Sequence, residues 1–270
     1  MSDYLLGSSD REHARLIRQA ARLAPITESL FREAGIGLGH RVLDIGSGVG
    51  DVAMLAASIV GPNGAVVGVE RDAASLVKAT ARAAEAGLAN ITFVQGDVTN
   101  LSVSGSFDAA VGRYILQFLP DPAAVLRSVM RHVRPGGIIA FLEQSWAPFV
   151  LMSSHVPLWS AAVNAIFDVS RRGVIDMEMG VALHRAFPDA GLPIPRQRLV
   201  MELGHDAEFT SWVSDVVLTL EVQARQHGVS LEALGPLDTL AARLQTEVSA
   251  SNTVVPWLAL VAAWCRTPGA

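Results

Sequence analysis

Val42-Leu43-Asp44-Ile45-Gly46-Ser47-Gly48-Val49-Gly50 decides the reading of this chain. An apolar run that ends in glycines at every second position reads as a buried strand feeding a turn. There the backbone must come close to something that a Cβ would block. In a doubly wound α/β sheet, ligands sit beyond the carboxyl ends of the strands, which is where such a turn falls. The spacing narrows the ligand. A dinucleotide fingerprint, Gly-x-Gly-x-x-Gly, needs a glycine three residues after Gly48, but Asp51 stands there and Gly50 comes one position early. Helix N-termini favour anions, and an acid at the start of the following helix works against a pyrophosphate. A ligand with a zwitterionic amino-acid tail suits the turn better.

Outward from this stretch, short apolar runs alternate with helical segments, the signature of a parallel α/β sheet. Strands are expected over 41–45, 65–70, 91–95, 107–112 and 138–143, with helices over 52–60, from Asp72 to Ala86, and from Asp121 to Arg134. Pro135-Gly136-Gly137 stops the last of these helices. Upstream, Ser9-x-x-Glu12 is a capping box that opens a helix, and Pro25 is placed to begin a second one ending near Ala34, with Gly35 as its cap. Arg11, Arg15, Arg18 and Arg22 share a face opposite Leu16, Ala20 and Leu23, and read as a solvated stripe. Beyond residue 143 helices are expected over 157–172, 178–190, 206–226 and 236–249, a sixth strand over 197–203 and a last strand over 253–266.

Two further acids follow strands. Glu70 ends the second one, 20 residues after Gly50, where a carboxylate can accept both hydroxyls of a ribose diol. Asp97, in Gly96-Asp97-Val98 after the third, can accept an exocyclic amine of adenine. Either acid alone could be a helix cap. Their occurrence after successive strands beside the glycine turn points to one ligand. Metal chemistry has little to build on, since no His-x-x-x-His or His/Cys cluster has ligand spacing and Cys265 is the only cysteine. Gly46-Ser47-Gly48 lacks the Gly-x-Ser-x-Gly spacing of a nucleophile elbow. A net charge of -5 and the lack of a basic run with interleaved aromatics argue against nucleic acid.

Together these segments resemble the class I S-adenosylmethionine-dependent methyltransferases, and more closely the small-molecule methyltransferases of the ubiquinone/menaquinone-biosynthesis-like group. Residues 41–143 carry the resemblance: the glycine turn, Glu70, Gly96-Asp97-Val98, Phe107-Asp108, Leu119-Pro120-Asp121-Pro122 and Arg134-Pro135-Gly136-Gly137. It implies a doubly wound, seven-stranded, mostly parallel Rossmann-like sheet with a reversed last strand, a helical N-terminal lid and helical cap insertions. It divides the chain into a lid over 1–40, a cofactor-binding core over 41–145, and a substrate cap with the last strands over 146–270. It also implies S-adenosyl-L-methionine as cofactor. The methionine part would lie against Asp44, Gly46, Ser47, Gly48 and Gly50, the ribose on Glu70 beside Arg71, the adenine beside Gly96, Asp97 and Val98, and the sulfonium over the backbone of Arg113 and Tyr114. Tyr4 and Gln19 of the lid would lie near the cofactor.

The function expected on this basis is methyl transfer to an apolar small molecule such as a quinone, polyketide, terpenoid or similar specialised metabolite. The alternatives are an S-adenosylmethionine-binding protein that transfers no methyl, and a nicotinamide-dependent oxidoreductase. Where the acceptor must lose a proton, His155 and Glu143 near the carboxyl edge of the sheet are the catalytic candidates, with Tyr114, His184 and His205 behind them. The acceptor pocket is expected from Phe149, Met152, Trp159, Phe167, Met177, Met179, Phe209 and Trp212, of which most should be plain core. Half of the residues are hydrophobic and 17% charged, against roughly a quarter in ordinary soluble domains, which allows a homodimer or higher homo-oligomer. No run approaches the roughly 20 apolar residues that span a bilayer, and the first residues lack a signal-peptide pattern, so a cytoplasmic protein without a membrane span is expected.

Overall fold

The computed structural model describes residues 10–173 and 175–269, with side chains from residue 13 onward. The first helix, α1 (Asp10–Ala34), leads into β1 (Arg41–Ile45), α2 (Asp51–Val60), β2 (Ala65–Glu70), α3 (Ala73–Glu85), β3 (Ile91–Gln95), β4 (Phe107–Arg113), α4 (Pro122–Met130) and β5 (Val133–Ser145). Three helices follow, α5 (Ala147–Met152), α6 (Pro157–Arg172) and α7 (Met179–Asp189), then β6 (Arg196–Val200) and β7 (Leu203–Gly204). The chain closes with α8 (Ala207–Thr219), α9 (Glu221–Gln226), α10 (Leu240–Ala250), β8 (Val255–Pro256) and β9 (Ala259–Arg266).

Seven strands form one sheet in the order β3-β2-β1-β4-β5-β9-β6. The pairs β1–β2, β2–β3, β1–β4 and β4–β5 are parallel. Gly136 donates to the Thr267 carbonyl and Thr267 donates to the Gly137 carbonyl, so the start of β5 lies beside the end of β9 and the two run antiparallel. The doubly wound, mostly parallel sheet expected from the sequence is present, and β9 is its reversed strand. Parallel strands covered on both faces read as continuous apolar runs. Val42, Leu43 and Ile45 of β1 and Ala109, Ala110 and Val111 of β4 are accordingly buried.

By its contacts the chain divides into two compact units. Among the described residues the sheet unit comprises 10–143, 180–198 and 261–269, and the second unit 144–173, 175–179 and 199–260. The second is built from α5, α6, α8, α9 and α10 with the β7–β8 pair, around fully buried Phe149, Trp159 and Phe209. Glu247 accepts the N–H groups of Leu158 and Trp159 and so caps α6 in place of a local side chain. Among the described residues no helix is long and apolar enough to cross a membrane.

Several boundaries differ from the sequence reading. Residues 10–34 form one helix, with Pro25 inside it rather than opening a second. Proline leaves the carbonyl four residues back without its helical donor, but the buried Thr27 hydroxyl donates to the Leu23 carbonyl within the same stretch, and Leu23, Leu30 and Phe31 bury the helix face throughout. Packing therefore carries the helix across the break. The helix before β5 ends at Met130, and the strand begins at Val133, ahead of Pro135-Gly136-Gly137. The early start comes from Val133 pairing with Phe107 of β4, and Thr267 holds the stretch that follows, pairing with Gly136 and Gly137 while its hydroxyl donates to the Arg134 carbonyl. The expected helix over 206–226 breaks at Leu220 into α8 and α9.

At the amino ends of the central strands, Asp108 ties β1, β4 and β5 together. Its Oδ2 accepts the Arg41 N–H at 2.8 Å and its Oδ1 the Arg134 Nε–H at 2.7 Å. Burial works against this charge, but the Arg41 and Arg134 bonds outweigh it and hold the carboxyl below the ordinary range. A carboxyl so depressed stabilises the fold above its unfolded pKa and loses that contribution as pH falls through the folded value. Asp108→Ala is expected to cost about 2 kcal/mol near pH 7. Urea melts should show the gap from the parent protein narrowing as pH falls below the ordinary carboxylate range and the parent carboxyl becomes protonated as well.

Candidate functional site

The strand order reverses between β1 and β4, so the turns that leave these two strands flank the crevice where doubly wound sheets bind ligands. From β1 comes Gly46–Gly50. Gly46 has φ +69°, and a Cβ there would lie 2.6 Å from Ile115 Cδ1, so the turn from β4 packs directly on it. Gly50, at φ +90°, caps α2 in a left-handed conformation, and a Cβ would meet Phe93 Cζ at 3.0 Å and Ala79 Cβ at 3.1 Å. Asp51 then opens α2 and pairs with Arg82 at 2.7 Å.

Asp44 is the unusual group. It is 1% exposed at the end of the central strand, and neither carboxylate oxygen has a hydrogen-bond partner among the described residues. Burial pushes its pKa up to about 7; the Arg113 charge and, least, the nearby Ala53 N–H oppose the rise, and Glu70 and Asp51 add to it. Ser47, also buried, has an unpartnered hydroxyl beside it in the chain. A buried carboxylate without donors is costly unless a ligand brings them. An ammonium group held by a backbone turn free of Cβ atoms meets that need, which is the fit that a zwitterionic amino-acid tail requires.

Glu70 does structural work. Its Oε2 accepts the Gly48 N–H at 3.0 Å, and its Oε1 accepts the N–H groups of Arg71 at 2.8 Å and Asp72 at 2.9 Å. The carboxylate thus fastens the glycine turn to the start of α3. Arg71 is exposed, and its carbonyl accepts from the Gln95 amide. Asp97 is exposed and caps a single 3-10 turn over Val98–Asn100; its Oδ1 takes both bonds from Thr99, which hold its carboxyl below the ordinary range. Gly96 is half-buried and Val98 buried beside it.

From β4 come Arg113 and Tyr114. Arg113 donates to Thr27 Oγ1 of α1 at 2.9 Å, and burial draws its pKa below the usual value against the pull of Tyr114, Asp51 and Asp44. Tyr114 has φ +57°, a strained value for a bulky residue, and its buried hydroxyl has no partner. Burial lifts its pKa above the ordinary value, so the phenol stays neutral and is a poor proton acceptor. Gln19 of α1 accepts from Arg15 at 2.6 Å. Tyr4 lies outside the described residues.

Arg15 corrects the solvated stripe expected along α1. It is 6% exposed, and its charge acts on Tyr114. Arg18 on the same stripe is exposed. The spacing of Arg15 and Gln19, four apart on one helix face, was the available signal; the four-arginine periodicity masked it.

Glu143 is fully buried, and its Oε1 accepts the N–H groups of Ile115 at 3.0 Å and Leu116 at 2.8 Å. It fastens the turn after Tyr114. His155 belongs to the second unit, is exposed, and has Nε2 3.2 Å from Thr253 Oγ1. His184 and His205 are exposed. Of the expected pocket residues, Phe149, Trp159 and Phe209 are core, while Phe167 and Trp212 keep part of their surface. Trp212 lies 5.4 Å from Phe149 and 4.6 Å from Trp257 between ring centroids, and Trp146 lies 5.2 Å from Phe149.

A family model described as a methyltransferase domain matches residues 37–172, just over half of the chain. The chain belongs to this methyltransferase family. Its cofactor is S-adenosylmethionine. Relatives include an arsenite methyltransferase of Aquipseudomonas alcaligenes, 37% identical over 113 residues, which cover 39% of this chain and 33% of the relative. The ubiquinone/menaquinone biosynthesis C-methyltransferase UbiE of Bdellovibrio bacteriovorus is 38% identical over 117 residues, 43% of this chain and 49% of that one. The chain therefore spans between a third and a half of the length of these relatives. In fold it is similar to the YcgJ protein of Bacillus subtilis, with a TM-score of 0.57 at 17% identity over 90% of this chain and 99% of that one.

The methyltransferase turn leaves a measurable mark on the free protein. A carboxyl whose folded pKa lies above its unfolded value destabilises the fold progressively as pH rises from the unfolded value to the folded one, here from about 4 to about 7. Asp44→Asn removes the charge and keeps the shape. In the absence of ligand it is expected to raise stability at pH 8 by on the order of 2–4 kcal/mol, with the gain shrinking toward pH 4. Chemical denaturation at the two pH values checks this, and equal stabilities at pH 8 would show that Asp44 carries no desolvation cost.

Proposed function

We propose that the protein transfers a methyl group from S-adenosylmethionine to an apolar small molecule. Asp44, a buried carboxylate without a donor where the Cβ-free turn begins, carries the reading. When bound, the cofactor supplies a methyl group already activated on a sulfonium. Asp44 holds its ammonium, with the backbone from Gly46 to Gly50 and the Ser47 hydroxyl around the methionine chain. Arg15, positioned by Gln19, faces the carboxylate of the same tail. Glu70 takes the ribose diol beside Arg71, using lone pairs that its three backbone N–H bonds leave over. Asp97 meets the exocyclic amine, and Gly96 and Val98 lie along the adenine ring. Arg113 and Tyr114 present the β4 turn to the sulfonium, and Glu143 holds that turn in place.

Positioning is then the main catalytic work. Holding an acceptor in line with an activated methyl supplies roughly 7–11 kcal/mol of a barrier by orientation alone. Buried, strained Tyr114, a neutral phenol, narrows the space beside the reacting centre without competing for the methyl as a phenolate would. Glu143 acts as a positioning residue, because its carboxylate is committed to the Ile115 and Leu116 N–H groups. His155 remains the group able to take a proton from an acceptor hydroxyl, amine or enolised carbon. The apolar content of the chain, half of whose residues are hydrophobic, supports an apolar class of acceptor.

Calorimetric titration with S-adenosylhomocysteine and, separately, with NAD tests the reading. Micromolar binding of the first and none of the second is expected, and binding of NAD alone would overturn it. Glu70→Ala should weaken S-adenosylhomocysteine by about tenfold or more, since it removes the ribose acceptor and loosens the turn. With labelled methyl donor and a panel of quinols, phenols and polyketides, His155→Ala is expected to lower kcat while leaving the affinity for S-adenosylhomocysteine at the parent value.

A further inference from the structure

The amino end of α3 holds a chain of hydrogen bonds that reaches from the first helix to the ribose carboxylate. His13, 5% exposed on α1, has its Nε2 3.3 Å from the hydroxyl of Ser75, itself 8% exposed in the first turn of α3. The backbone N–H of Ser75 donates to Asp72 Oδ2 at 2.8 Å. The Asp72 backbone N–H in turn donates to Glu70 Oε1 at 2.9 Å, and Glu70 Oε2 receives the Gly48 N–H. The path therefore runs from α1 through Ser75, Asp72 and Glu70 into the glycine turn.

The hydrogen bond joins His13 Nε2 and Ser75 Oγ, and the tautomer of the imidazole sets which of the two donates. The pair is buried and spans 62 residues of sequence, so it fixes where α1 lies against the start of α3. One turn further along, α1 carries the Arg15–Gln19 pair. Its own register is thus set at the point from which those two side chains project.

We propose that His13 is a positioning residue for the cofactor: its hydrogen bond to Ser75 latches α1 to the Glu70 carboxylate and slows departure of the bound S-adenosylmethionine or its product. This rests on Glu70 and Arg15 holding the cofactor as proposed above. The latch touches no atom of the ligand. It acts by keeping α1 closed over a ribose acceptor to which it is wired, so it governs the rate of leaving more than the rate of arrival.

Stopped-flow dissociation of S-adenosylhomocysteine from the purified full-length protein tests it. His13→Ala is expected to raise the off-rate by about 3- to 10-fold, the factor that one net hydrogen bond contributes, with the on-rate within about twofold of the parent. Ser75→Ala should do the same, and the double variant should be no worse than either single one, because both remove one bond. His13→Gln, whose amide can donate to Ser75 Oγ, should recover most of the slow off-rate, which a general loosening of the helix would not. Arg32→Gln, on the exposed far end of α1, serves as the control and should match the parent. An unchanged off-rate in His13→Ala, additive effects in the double variant, or no rescue by glutamine would each overturn the latch while leaving the cofactor reading intact. A parent protein that binds no S-adenosylhomocysteine would overturn both.

Discussion

A carboxylate buried without a hydrogen-bond donor is the constraint around which the sheet unit is arranged. Asp44 could make its position comfortable by pairing with a neighbour, yet Arg113 points its guanidinium to Thr27 and the three nearby charges partly cancel. Such a group survives only where the surrounding structure is stable enough to hold it. β1 meets that condition: it has parallel neighbours on both sides, and Val42, Leu43 and Ile45 are fully buried. The most secure strand of the sheet carries its least favourable residue.

The other acids at the site differ from Asp44 in being shared. Glu70 spends its carboxylate on three backbone N–H groups that hold two loops together. Asp97 caps a short turn. In the sequence the structural and the ligand-binding readings of these residues looked like alternatives. The fold makes them compatible, because backbone N–H groups orient a carboxylate and leave some of its four lone-pair directions open. The same economy applies to Glu143, whose bonds to Ile115 and Leu116 set the turn that covers Gly46.

The strands from 41 to 143 were legible because each is an apolar run bounded by glycine, proline or a capping acid, and nothing distant alters that pattern. What escaped the sequence came from long-range partners. Phe107 of β4 and Thr267, the latter 134 residues from Val133, hold the start of β5 at Val133, and no local signal at Val133-Arg134-Pro135 announces it. Leu23, Leu30 and Phe31 carry α1 through Pro25, against the local rule for proline. The glycine turn could be read because its backbone geometry is tied to spacing. Arg15 could not, since burial of one arginine among four at regular intervals depends on what packs against the helix.

The position of β9 has a consequence for how the molecule is made. It inserts between β5 and β6, so β6, more than fifty residues earlier in the chain, has no sheet neighbour until residues 259–266 have been synthesised. During translation β5 therefore presents an open edge while the whole helical unit emerges. Contacts that close a sheet across so long a stretch of chain are slow to form, and an unpaired strand edge is prone to wrong pairing while it waits. The last strand is the one that seals the sheet, and its loss by truncation would expose both β5 and β6 rather than trim an end.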